Sequence, residues 1–202
     1  MAFFTRYCKK TSLLFCLSLC LSLLCTPALV RAADSSIQIK SADLQLQEEH
    51  YVLNADVEID FDEAIVAAIN KGVLLNFVIE FQVVSPRKYW FDDEIVTTSS
   101  SVTLSYHALS RQYLVSRGAH QKSFETLSEA TQELAQLVDW RVFDKSLLDK
   151  AGVYNAALLI RLDQSKLPKA IQVDAIGSEK WNLISHKYVW PLKELASKEP
   201  KP

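Results

Sequence analysis

The sequence predicts a mainly β fold: an antiparallel, immunoglobulin-like β-sandwich of about eight strands with two short α-helices. Three observations carry this. Apolar residues recur at every second position through most of the chain after residue 33. Only two stretches join a helix cap to apolar residues at helical spacing. No regular strand–helix alternation asks for a parallel sheet.

The elements follow in order. Ile37 and Ile39 alternate with Gln38 and Lys40, and Leu44 and Leu46 continue after an irregularity at Ser41-Ala42. Glu48-Glu49-His50 turns the chain into a second strand, where Tyr51, Leu53, Ala55, Val57 and Ile59 take alternate positions. Asp60 to Glu63 supply a carboxylate cap and an acid three residues on; Ile65, Ala68 and Ile69 then share a helical face that Gly72 ends. Val73 to Val84 places Phe77, Ile79, Phe81 and Val83 on one side and Leu74, Leu75 and Val78 on the other, the pattern of a central strand. Ile95–His107 and Gln112–Ser116 read as a hairpin through Leu109-Ser110-Arg111. Thr126 and Glu129 form a capping box, followed by an apolar stripe of Leu127, Ala130, Leu134, Leu137 and Val138. Trp140–Phe143 and Val153–Leu162 are further strands, and a last hairpin is expected around Gly177, from Ile171-Val173-Ala175 to Trp181-Leu183.

Three segments are expected. Residues 1–32 read as an export signal or an uncleaved membrane anchor: Arg6, Lys9 and Lys10 precede Thr11–Val30, which carries no charge, and Val30 and Ala32 are small residues at the exit. Residues 33–192 form the sandwich, and 193–202 a loose tail. This predicts a periplasmic protein, touching the membrane only through residues 1–32 if they are retained. All four cysteines (Cys8, Cys16, Cys20 and Cys25) lie in that first segment, so the remainder has no thiolate nucleophile, disulfide or cysteine-ligated metal. Taking the segment's four cations from the 22 basic residues leaves 18 against 24 acidic, a net of −6. That charge argues against nucleic acid as a partner.

Chemistry-bearing residues are few. The ten residues PRKYWFDDEI, Pro86–Ile95, gather Arg87, Lys88, three consecutive rings at Tyr89, Trp90 and Phe91, and Asp92, Asp93 and Glu94. They read as a binding rim, or as a loop pinned by its own ion pairs. Adjacent carboxylates do not by themselves make a glycosidase pair, and no Asp-x-Asp-x-Asp-Gly run supports calcium. Ser105, His107 and Ser110 lack a nucleophile elbow. None of the histidines His50, His107, His120 and His186 pairs at metal-ligand spacing, and four glycines in the whole chain leave no phosphate cradle, so no cofactor is expected. Arg141 sits between Asp139 and Asp144, an ion pair in the plain reading; beside Arg87 and Arg111 it would make a cationic pocket.

The strings NKGVLLNFVIEFQVVSPRKYWFDDEI, LSYHALSRQYLVS, LVDWRVFD and LPKAIQVDAIGSEKWNL, followed by YVW, resemble an uncharacterised proteobacterial family of exported proteins, the domain of unknown function 4390. The resemblance runs from about Ile37 to Trp190, with a departure at Asp93-Glu94. It implies an envelope protein with no assigned activity, its gene often near that of a membrane sensor kinase, and supplies no catalytic residues. The residues therefore predict a non-enzymatic module that binds a protein or peptide partner in the envelope through Arg87, Tyr89, Trp90, Phe91, Asp92, Tyr106, His107, Arg111 and Tyr113. An envelope hydrolase using Asp92 and His107, or a module that pairs through an edge strand, are the alternatives.

Overall fold

Alternation in the sequence becomes pairing in the fold. A computed structural model describes residues 35–87, 92–149, 152–175 and 179–192. In chain order, β1 (Ser36–Gln47) and β2 (His50–Asp60) precede helix α1 (Glu63–Asn70), then β3 (Leu75–Ser85), β4 (Asp93–His107), β5 (Gln112–Arg117) and β6 (His120–Phe124). Helix α2 (Leu127–Ala135) runs directly into β7 (Gln136–Asp144), and β8 (Tyr154–Leu162), helix α3 (Lys169–Ala175) and β9 (Tyr188–Leu192) follow. Every strand pair is antiparallel. The strands make a three-stranded sheet, β1-β2-β7, and a six-stranded sheet, β6-β5-β4-β3-β8-β9.

The two sheets share one core. On β3, Leu75, Phe77, Ile79, Phe81 and Val83 point to it, matched by Leu158 and Ile160 of β8 and by Val102 and Leu104 of β4. The small sheet answers with Leu53, Val57 and Ile59 of β2 and Phe143 of β7. Phe143 stacks on Tyr51 at 4.7 Å and reaches Phe81 at 6.0 Å, which ties the layers together. Thr98 Oγ1 donates to the Val142 carbonyl at 2.6 Å, a polar contact between the same layers. Among the described residues Ser185 is the buried polar side chain, and it is satisfied: the Ile160 N–H donates to its hydroxyl at 3.0 Å.

The mainly β, two-sheet expectation holds, with nine strands and three α-helices among the described residues. Several local readings are corrected. Asp62, not Asp60, caps α1, accepting the Ile65 N–H at 2.7 Å. Gly72 does sit in the left-handed region, φ 85°. Leu75 shares the inward face of β3 with Phe77, because the strand begins there and parity then decides. The stripe of α2 ends at Ala135; Leu137 and Val138 belong to β7. β6 was not foreseen, since HQKSF has no apolar alternation and is almost fully exposed.

Among the described residues the expected last hairpin is absent, and its expected turn at Gly177 lies outside them. Residues 169–175 form α3, in which the Ile171 and Gln172 N–H groups donate to the Pro168 carbonyl. Trp181 lies buried in a 3₁₀ turn instead of a strand. Ile171 and Ala175, four apart, are half-buried, and Val173 between them is 69% exposed. Three apolar residues at spacing two are too short a run to separate a strand from one face of a short helix.

Candidate functional site

Strand β4 divides the expected rim. Its fifteen residues begin beside Asp92 and end at His107. At the rise of an extended chain, these ends lie roughly 45 Å apart. Arg87 and Asp92 stand at one end, and Tyr106, His107, Arg111 and Tyr113 at the other, so they form no single surface. Tyr89, Trp90 and Phe91 lie outside the described residues. The same distance separates Arg87 from Arg111, which removes the three-arginine pocket, and Asp92 from His107, which removes that acid–imidazole pair from hydrolytic chemistry.

At the first end, Arg87 pairs with Asp93, and its N–H donates to Asp92 at 3.2 Å. These contacts join Arg87 to Asp92 and Asp93 across the two described ends of the segment. At the other end Tyr106 and Tyr113 pack at 4.9 Å, half-buried against the core, and the Tyr113 hydroxyl donates to Asn70 of α1 at 2.7 Å. Among the described residues the one side-chain partner of His107 is the Ser110 hydroxyl, 3.0 Å away, with no carboxylate to orient the ring. Arg111 takes φ 55° at the turn, and Leu109 beside it is 93% exposed.

Arg141 does pair with Asp144, at 3.0 Å, and Asp144 also meets His50 Nδ1 at 2.5 Å. Asp139 is drawn elsewhere: it accepts from Gln47, and its N–H donates to Asn54. The Arg141 bond, then the His50 bond, hold the Asp144 carboxyl below its ordinary pKa. A depressed folded pKa stabilises above the unfolded pKa, and that gain is lost as pH falls through the folded one. The stability gap between the wild type and Asp144→Asn is therefore expected to close as urea melts are taken below the ordinary aspartate range. It is small at neutral pH, because the carboxylate is about half exposed. A gap that widens toward acid would contradict the arrangement.

A cleft of about 800 Å³ lies elsewhere, between β2 and α2. Val57, Ile59 and Phe61, with Val66 of α1 and Leu137 and Val138 of β7, give it apolar surface. Leu127, Thr131 and Ala135, each half-buried, face it from the helix at helical spacing. Asp43, Asp56, Glu58 and Asp60 line it as well, and among the described residues no lysine or arginine does. The helix wall is held from behind: the Arg117 guanidinium donates to the carbonyls of Glu133, Leu134 and Gln136, the last at 2.9 Å. Sequence reading missed this cleft. The available signal was the acidic alternation of Asp56, Glu58 and Asp60; the partner lost by β2 is a matter of register that one strand's pattern does not carry.

Among the described residues no group of three or more histidine, cysteine, aspartate or glutamate side chains is placed to hold a metal ion. No helix among them is long and apolar enough to cross a membrane. A family model, described as a domain of unknown function (DUF4390), matches residues 34–191. No curated protein and no solved structure matches the chain.

Proposed function

Since the chain belongs to the DUF4390 family, whose description prescribes no activity, we propose a function from its own geometry: an exported protein- or peptide-binding module of the cell envelope that works without catalysis. Export is supported by the basic start and the uncharged Thr11–Val30 run. The observation that carries binding is the cleft between β2 and α2, where a strand edge, a helix face and an acidic rim converge on one space. The hydrolase alternative has, among the described residues, no carboxylate bonded to His107 to support it.

A photo-crosslinking residue tests this at three exposed positions: Gln132 on the helix wall, Leu109 at the hairpin tip and Ser99 on the outer face of β4. In cells, Gln132 is expected to capture a discrete partner band that Ser99 does not. Capture from Leu109 alone would move the binding surface to the hairpin. Equal capture from all three, or none, would remove the proposal.

A further inference from the structure

Strand β2 outruns its partner. β7 pairs with it only as far as Asp56, which stands opposite Gln136, while β1 accompanies it to Asp60. From Val57 to Asp60, then, β2 has a strand on one side and a helix on the other, because α2 ends at Ala135 and turns at once into β7. Among the described residues, β1 is the one strand that pairs with 57–60, and no turn, loop or cap hydrogen bond involves their main chain. A strand paired on one side leaves alternate N–H and C=O groups without protein partners, which is the template that extended peptides use when they add to a sheet. The four residues span roughly 13 Å, enough to pair a short segment.

The charge of the site selects among occupants. Asp56, at the last paired position, and Glu58 and Asp60 on the unpaired stretch are exposed. Glu58 holds Lys40 at 2.6 Å, whereas neither Asp56 nor Asp60 has an ion-pair partner among the described residues. The Lys40 ammonium is stabilised above its ordinary pKa, first by its hydrogen bond to Glu58, with Asp56 and Asp60 contributing through their charge. A cation at this rim is thus favoured already. A second copy presenting its own β2 would set these carboxylates against each other, an arrangement that like charges on paired strands destabilise.

We propose that the groove takes an extended, net-cationic peptide segment, which adds to β2 alongside Val57–Asp60 with its basic side chains toward Asp56, Glu58 and Asp60 and its apolar ones toward α2. This deepens the binding function proposed above and rests on the cleft being the binding surface.

The test uses the unit Ala33–Pro202, which is compact by itself and contains the whole core cluster. Four eight-residue peptides are compared by hydrogen exchange and by titration: alternating Val-Lys, alternating Val-Glu, and the Val-Lys peptide N-methylated at its valines or at its lysines. The Val-Lys peptide is expected to slow amide exchange within residues 57–60 at least tenfold, and the Val-Glu peptide to bind at least tenfold more weakly. One N-methylated form should lose binding and the other keep it, since only one edge of the peptide faces β2. The variant Asp56→Asn/Glu58→Gln/Asp60→Asn, altered only at exposed side chains, should keep its circular dichroism spectrum and lose at least tenfold in affinity. Absence of binding, equal binding of the acidic peptide, or protection at the hairpin in place of 57–60 would each overturn the inference. If Gln132 still captures a partner in cells, the cleft remains a binding surface for another chemistry; if it does not, both readings fall.

Discussion

Phe81→Ala is expected to lower the stability of the domain by about 3–5 kcal/mol, the range for removing a fully buried phenylalanine from a core that cannot close around the gap. Phe81 is completely buried on the middle of β3, and its ring reaches Phe143 of the opposite sheet and Trp190 of β9. The substitution therefore empties the place where both sheets and the last strand meet. For a domain of this size each kcal/mol moves the melting temperature by about 2–4 °C, so a fall of roughly 10 °C is the scale to look for. Urea midpoints at constant slope give the free energy directly. Val189→Ala on β9, a side chain 55% exposed, is the control and should stay within about 0.5 kcal/mol. A cost for Phe81→Ala near that of the control would mean that the sheets do not share the core described.

The same residue shows what the sequence could reveal. Phe77, Ile79, Phe81 and Val83 alternate without interruption, and a strand buried on that face is the one structure that hides them all. β2 and β4 were legible for the same reason. Legibility failed where local pattern was weak or tertiary contacts decided. Leu137 and Val138 continue the apolar spacing of α2, yet the helix stops before them, because Gln136 is extended, at ψ 115°, and its carbonyl is taken by Arg117 from another strand. Nothing in residues 127–138 announces that arginine. The rim failed for a different reason: Arg87 and Tyr106 are neighbours in composition, but the fifteen residues of β4 hold their loops at opposite ends of the sheet. The cleft depends on where β7 begins relative to β2, so it follows from the early end of α2 and was invisible for the same cause.

Arg117→Met is expected to cost about 0.5–1.5 kcal/mol, the range for losing an intramolecular hydrogen bond at groups that water can still reach, and to loosen one element before the others. Alternation on β5 carries Tyr113, Val115 and Arg117 to the inward side; Val115 joins the core and Arg117 meets the end of α2. The last turn of that helix contains no basic residue of its own. Its final carbonyls, at the negative end of the helix dipole, rely on a guanidinium supplied from β5. Burial pushes the Arg117 pKa down and the charge of Glu133 pushes it back up, but an arginine stays protonated across the working range. Methionine keeps much of the stem's packing and removes the donors, so the loss reports the hydrogen bonds rather than volume. The ion pair from Lys122 to Glu133, 63% exposed at the lysine, is too wet to compensate. Hydrogen exchange should therefore accelerate at Ala130–Ala135 while the amides of β3 and β8 keep their protection. Arg117→Lys should recover only part of the loss, since all three contacts come from Nη2 at the tip of the guanidinium and the shorter lysine stem does not carry its ammonium that far. Because α2 is also a wall of the cleft, peptide affinity should fall with the exchange protection of the helix. A variant with a loosened helix and unchanged affinity would place binding away from that wall.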